Sequence, residues 1–105
     1  MIRSVNRDIT AAANGETLET FVSGVEGVER RVTEIRFQQV ADLDLRGYID
    51  QDRIVDVGGE CEENDTNPVP VDCPVPVGKI FAAGFQNNTG APQTMKITVF
   101  FEETK

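Results

Sequence analysis

Apolar residues in this chain recur at every second position, in short runs that restart roughly every ten residues. That period belongs to strands with one buried face, and no window sustains the 3.6-residue period of a helix. In "TMKITVFFEE", Met95, Ile97, Val99 and Phe101 share one face, and Thr94, Lys96, Thr98, Phe100 and Glu102 the other. "KIFAAGFQ" sets Ile80, Ala82 and Gly84 against Phe81, Ala83 and Phe85. The turn cluster "NNTGAP" lies between these two runs, which predicts a hairpin of 79–86 with 93–103. "DLDLRGYID" places Leu43, Leu45, Gly47 and Ile49 inside, with its acids and Arg46 outside, and "DRIVDV" follows after a turn at 50–52. In "RRVTEIRFQQV", Ile35 and Phe37 keep register and Val32 is one position off, the mark of a bulge or an early strand start. "RSVNRDITAA" and "ETLETFVSGV", with "NGE" between them, complete the set.

Seven to eight short strands in 105 residues predict an all-β chain: one antiparallel β-sandwich domain over 1–105, jelly-roll-like in its connections. A domain of this size can bury one core without the help of a metal. The most strongly patterned strand comes last. In a sandwich closed by a long-range return, such a strand pairs between earlier ones and completes the core. Phe100, and the Phe81–Ala83–Phe85 face, read as apolar on the outer side, so Phe81, Phe85 and Phe100 are the expected contacts with another copy of the chain.

One stretch breaks the pattern. "GGECEENDTNPVPVDCPVPVG", residues 58–78, holds four of the five prolines and both cysteines. Prolines at 68, 70, 74 and 76 favour extended backbone that cannot donate to a ladder, so the stretch reads as a projecting surface loop. Two cysteines without any histidine cannot supply the four ligands of a structural zinc, and no CxxC redox pair is present. Free thiols or a disulfide remain. Because Cys61 and Cys73 bracket the long loop, a disulfide is expected, contributing about 3 kcal/mol for a loop of ~15 residues. Such a bond forms outside a reducing cytoplasm, whereas "MIRSVNRDIT" has no signal-like apolar run. Release of the protein by cell lysis reconciles the two. Glu60, Glu62, Glu63 and Asp65 form a loose candidate for Ca²⁺ beside the plainer reading of a hydrated acidic loop. "DLDLRGYIDQDR" does not form an EF-hand loop, since Arg46 and Arg53 fall where oxygen ligands belong. No cofactor is expected.

Charge excludes further classes. Eighteen acids against ten Lys and Arg give a net charge of -8. Nucleic acid is not an expected partner, because phosphate binding needs a cationic footprint. No stretch approaches the ~20 apolar residues of a membrane-spanning helix. An acidic chain with only three lysines fits a halophilic source and fits an acidic mesophile equally. There is no histidine, no phosphate-binding glycine loop and no nucleophile elbow, so no enzymatic activity is expected. The "NDT" at Asn64 and "NNT" at Asn87 match the glycosylation acceptor pattern but read as polar turn residues.

The run "PVPVGKIFAAGFQNNTGAPQTMKITVFFEET" resembles the closing strands of small β-sandwich virion proteins. These are the jelly-roll decoration, turret or minor capsid subunits of haloarchaeal tailed or icosahedral viruses. "VTEIRF" and "LRGYID" resemble their upstream strands. The resemblance implies a homo-oligomeric subunit, often a trimer, synthesised in the host cytoplasm and seated on the virion exterior. Its implied partners are further copies of itself and the major capsid protein or another virion protein. The alternative is a glycan- or receptor-binding β-sandwich module on a virion or cell surface. With no Trp and one Tyr, Tyr48, the chain offers little for a sugar platform.

Overall fold

The computed structural model describes residues 1–38, 42–58 and 69–104. Eight strands form: β1 (Ile2–Ala11), β2 (Glu16–Ser23), β3 (Glu29–Phe37), β4 (Leu43–Ile49), β5 (Asp52–Gly58), β6 (Val69–Pro74), β7 (Ile80–Asn87) and β8 (Gln93–Thr104). All pairings are antiparallel, and they build one sheet in the order β1-β8-β3-β6 and a second in the order β2-β7-β4-β5. This is the strand order of a double-sheet jelly roll. The described residues contain no helix, and the predicted antiparallel sandwich is the fold.

The alternation explains the core. Met95, Ile97 and Val99 are fully buried on the inner face of β8. Across the sandwich, Phe81, Ala83 and Phe85 of β7 and Leu45 of β4 are equally buried, so the two inner faces interdigitate. Leu43, Leu45 and Gly47 face inward with Ile49 partly buried, as their spacing predicts. The register of β3 shifts between Val32 and Glu34 against both of its neighbours. That bulge lets Val32 and Ile35 both reach the core, and it is the irregularity the sequence pattern predicts. A second shift, between Thr20 and Val22 of β2, buries the consecutive residues Phe21 and Val22.

Two expectations need correction. The runs at 79–86 and 93–103 are strands, but they do not form a hairpin. β7 pairs with β2 and β4, and β8 pairs with β1 and β3. The five residues 88–92 span the ~10 Å between sheets instead of reversing within one. Among the described residues, β4 and β5 are the only consecutive strands that pair with each other. Their link, Asp50–Gln51, is tight, and Asp50 sits at φ 53, a left-handed conformation that Asp tolerates. Secondly, the predicted loop at 58–78 contains β6. Pro70 and Pro74 are accommodated because β6 is an edge strand, where a missing N–H can face solvent. Val69 and Cys73 alternate with them into the core.

Gly84 is required by a close approach. A Cβ there would lie 1.7 Å from the carbonyl oxygen of Thr17 on β2, so only glycine lets β2 run this near to β7.

Candidate functional site

Phe81 and Phe85 are not contact residues. Both are 0% exposed, packed between the sheets, and cannot reach another copy of the chain. The sequence assigned their face to the outside because β7 carries apolar residues on both sides. In the sheet it is the Ile80 and Ala82 side that faces outward. Phe100 does lie on the outer face of β8, half-buried, with the Arg36 guanidinium 5.1 Å from its ring centroid.

Each end of the sandwich is closed by a polar group. At one end, Glu103 lies between two arginines. Arg30 donates to its Oε2 at 2.9 Å, and Arg3 to its Oε1 at 3.2 Å. Arg30 also donates to the Ser23 carbonyl at 2.8 Å and stacks over Phe101 at 5.5 Å, so the network lies across the mouth of the core. Burial pushes the Glu103 carboxyl up, but hydrogen bonds and charge from Arg30 and Arg3 outweigh it and hold the group below its usual range. A depressed folded-state pKa contributes stability that is present above the unfolded value and lost as pH falls through the folded one. The melting temperature of Glu103→Gln is therefore expected to lie below wild type at pH 7. The two should converge as pH drops below the ordinary glutamate value of about 4.3. A gap that persists into acid would show that the ionised carboxylate is not the stabilising species.

At the other end, Asn87 is 0% exposed and fully satisfied. Its amide donates to the carbonyls of Ala11, Ala12 and Ala91, at 3.3, 3.2 and 2.8 Å. Its Oδ1 accepts from the Thr89 N–H at 2.9 Å and the Thr89 hydroxyl at 2.6 Å. One side chain thus ties the β1–β2 link to the β7–β8 link. Asn87 is therefore a buried strand-end residue of β7 rather than the ordinary polar turn residue expected from the sequence. Asn64 lies outside the described residues.

The surface charges are mostly spent on one another. Eight of the nine described cations make ion pairs, and Lys96 is the exception. On the outer face of the second sheet, Arg46 reaches Glu16 at 3.1 Å and Asp56 at 3.0 Å, and the Tyr48 hydroxyl donates to Glu16 at 3.1 Å. Glu16 is on β2 and Arg46 on β4, so their contact crosses β7, where Gly84 stands between Leu18 and Arg46 and carries no side chain to block it. Burial tends to lower the Arg46 pKa, yet Asp56, Tyr48 and Glu16 raise it overall. A shallow cleft of about 540 Å³ lies between Val28–Arg31 and Pro74–Val77. Arg30 and Arg31 in its wall are already paired with Glu103 and Asp72.

No family model matches the chain, and no curated protein matches it. Among solved structures, the chain is similar to the nucleoplasmin-like N-terminal domain of Drosophila FKBP39, at 9% identity and a TM-score of 0.47. The alignment covers 100% of this chain and 91% of that one.

Cys73 is not half of the expected disulfide: it faces inward from β6 as a buried, free thiol, its Sγ 3.6 Å from the Pro74 carbonyl, and burial pushes its pKa up. Cys61 lies outside the described residues, as do Glu60, Glu62, Glu63 and Asp65 of the Ca²⁺ candidate. No metal-ligand cluster occurs among the described residues. Sequence reasoning missed the Glu103 network and the Asn87 tie. The first joins residues 73 and 100 positions apart, and nothing local marks them as partners. The second had a signal, the "NNTG" turn next to a strand end, but the pattern does not show which asparagine turns inward.

Proposed function

We propose that this protein is a non-catalytic, self-assembling structural subunit of a virion exterior, a decoration, turret or minor capsid protein. The observation that carries the reading is where its chemistry goes. Among the described residues, eight cations pair with acids, the Glu103 and Asn87 networks close the sandwich ends, and no metal-ligand cluster occurs. The aromatic residues weigh against the glycan-binding alternative. Phe21, Phe37, Phe81, Phe85 and Phe101 are buried, Phe100 lies under Arg36, and Tyr48 is half-buried with its hydroxyl on Glu16. None is left as an exposed platform for a sugar ring. A seat against a major capsid protein belongs to the same proposal.

In lysates of the source organism, the protein is expected to band with virus particles on a density gradient. Antibody should decorate those particles without disrupting them. Recovery wholly in the soluble fraction, with no particle-bound pool, overturns the reading. The halophilic part of the proposal has its own measurement. Screening over ~10 Å at 0.1 M weakens repulsion among the unpaired acids, so the melting temperature should climb from dilute buffer to molar salt. A flat profile removes the halophile.

A further inference from the structure

Each sheet has two edges, and three of the four are poor templates for a further strand. β6 carries Pro70 and Pro74, and β2 is bulged between Thr20 and Val22. β5 pairs in a register that shifts opposite Gly47 and Tyr48. β1 differs. It pairs with β8 through ten consecutive residues, Ile2 to Ala11, without bulge or proline.

The pairing of β1 with β8 sets which of its backbone groups face the open edge. Glu103 N–H donates to the Met1 carbonyl at 2.8 Å, and the Met1 amine donates to the Glu103 carbonyl at 3.1 Å, so these two residues form a hydrogen-bonded pair. Hydrogen-bonded and open pairs alternate along an antiparallel ladder. Arg3, Val5, Arg7, Ile9 and Ala11 therefore spend their N–H and C=O groups on β8. Ile2, Ser4, Asn6, Asp8 and Thr10 aim theirs at the open edge, where their side chains are exposed and no described strand pairs with them. Of the usual guards of an edge, proline and a bulge are absent from it, and its charges are Asp8 and the inward Arg3 and Arg7. The two inward arginines are held away, Arg3 on Glu103 and Arg7 5.7 Å over the Phe21 ring.

We propose that β1 pairs antiparallel with β1 of a second copy about a two-fold axis through Asn6, joining two four-stranded sheets into one of eight. In that register Asn6 faces its own copy, Ser4 faces Asp8 and Ile2 faces Thr10. Residues on one face meet residues on the same face, as a continuous sheet requires. All five open-edge residues of each copy find partners, and the five N–H groups from each give ten hydrogen bonds in all. On the inner face Val5 lies opposite Arg7, and Arg3 opposite Ile9. The neighbouring registers are worse. An axis at Val5 sets Arg3 against Arg7, and an axis at Arg7 sets that residue against itself, in both cases placing like charges directly opposite. This complementarity of β1 with its own reverse makes a second copy the occupant. The contact is isologous, so it builds dimers or multiples of them rather than the trimer that the resemblance implies. The inference deepens the self-assembly part of the proposed function and rests on that reading.

The test is sedimentation of the full chain in molar salt, with amide hydrogen exchange read in the same sample. The wild type should sediment with an even number of copies, and the Ser4, Asn6 and Asp8 amides should be protected. Asn6→Pro removes an N–H that faces the open edge, so the ladder to β8 loses no bond. It should keep its fold and weaken association at least about tenfold. Asn6→Lys, which places like charges across the axis, should do the same and serves if the proline variant does not fold. A monomeric wild type overturns both this contact and self-assembly. A trimer, an oligomer that survives both substitutions, or freely exchanging Ser4, Asn6 and Asp8 amides overturns the contact and leaves self-assembly standing.

Discussion

Phe85→Ala is expected to destabilise the chain by about 3–5 kcal/mol, the cost of emptying a fully enclosed aromatic site. Phe85 is 0% exposed, between Leu45 of β4 and Thr17 of β2 in the sheet and facing the inner side of the other sheet. Neither neighbouring strand is free to collapse into the gap. β2 is already pressed against β7 at Gly84, and β4 is held from its other side by β5. A domain of this size has roughly 5–15 kcal/mol in total. The variant should therefore melt well below wild type, at roughly 4 °C or more per kcal/mol lost. Phe100→Ala is the comparison. Its ring is half-buried beneath Arg36 on the outer face, and its removal should cost about 1 kcal/mol in loss of stacking and partial burial. Chemical denaturation of both variants reads the difference. Equal losses would place Phe85 at the surface and restore it as a contact residue.

Asn87→Asp is the second large effect. The substitution keeps the shape and removes the donors. Three carbonyls, of Ala11, Ala12 and Ala91, lose their N–H partner and instead face carboxylate oxygens in a site that is 0% exposed. A buried acceptor left unsatisfied costs about 1–3 kcal/mol, and more where the group opposite is charged. A loss of at least ~3 kcal/mol at pH 7 is expected. It should shrink as pH falls and the carboxyl takes up a proton, because a buried acid without a cation near it has a raised folded pKa and its charged form is the destabilising one. Asn87→Ala should fall between Asp and wild type, since it leaves the carbonyls orphaned without adding a charge. An aspartate variant as stable as wild type would mean that the two links are held together by their backbone bonds, Asn87 N–H to Gly15 and Asn14 N–H to Thr89, without the side chain.

Much of the sandwich is legible from spacing alone. The period of two marks the inner face of β8 and β4 residue by residue, and the offset of Val32 marks the bulge in β3. Local chemistry also places the β4–β5 turn at Asp50. These readings succeed because each depends on neighbours along the chain: a strand alternates, and a turn needs a residue that tolerates its φ. The central position of the last strand follows as well, since β8 lies between β1 and β3.

What the sequence could not decide is which side of a strand faces in when both sides are apolar, and which sheet a strand joins. β7 carries Ile80, Ala82 and Gly84 on one face and Phe81, Ala83 and Phe85 on the other, and although the second face is the more apolar, its period of two does not say whether a sheet or another copy covers it. The packing of the opposite sheet does, by accepting the larger rings. The prolines of β6 likewise read as loop until the topology makes that strand an edge. Composition determined that the surface is acidic and that histidine chemistry is absent. Only the tertiary structure paired eight cations with acids, turned Asn87 inward and left β1 open, because each of these depends on which distant segments meet.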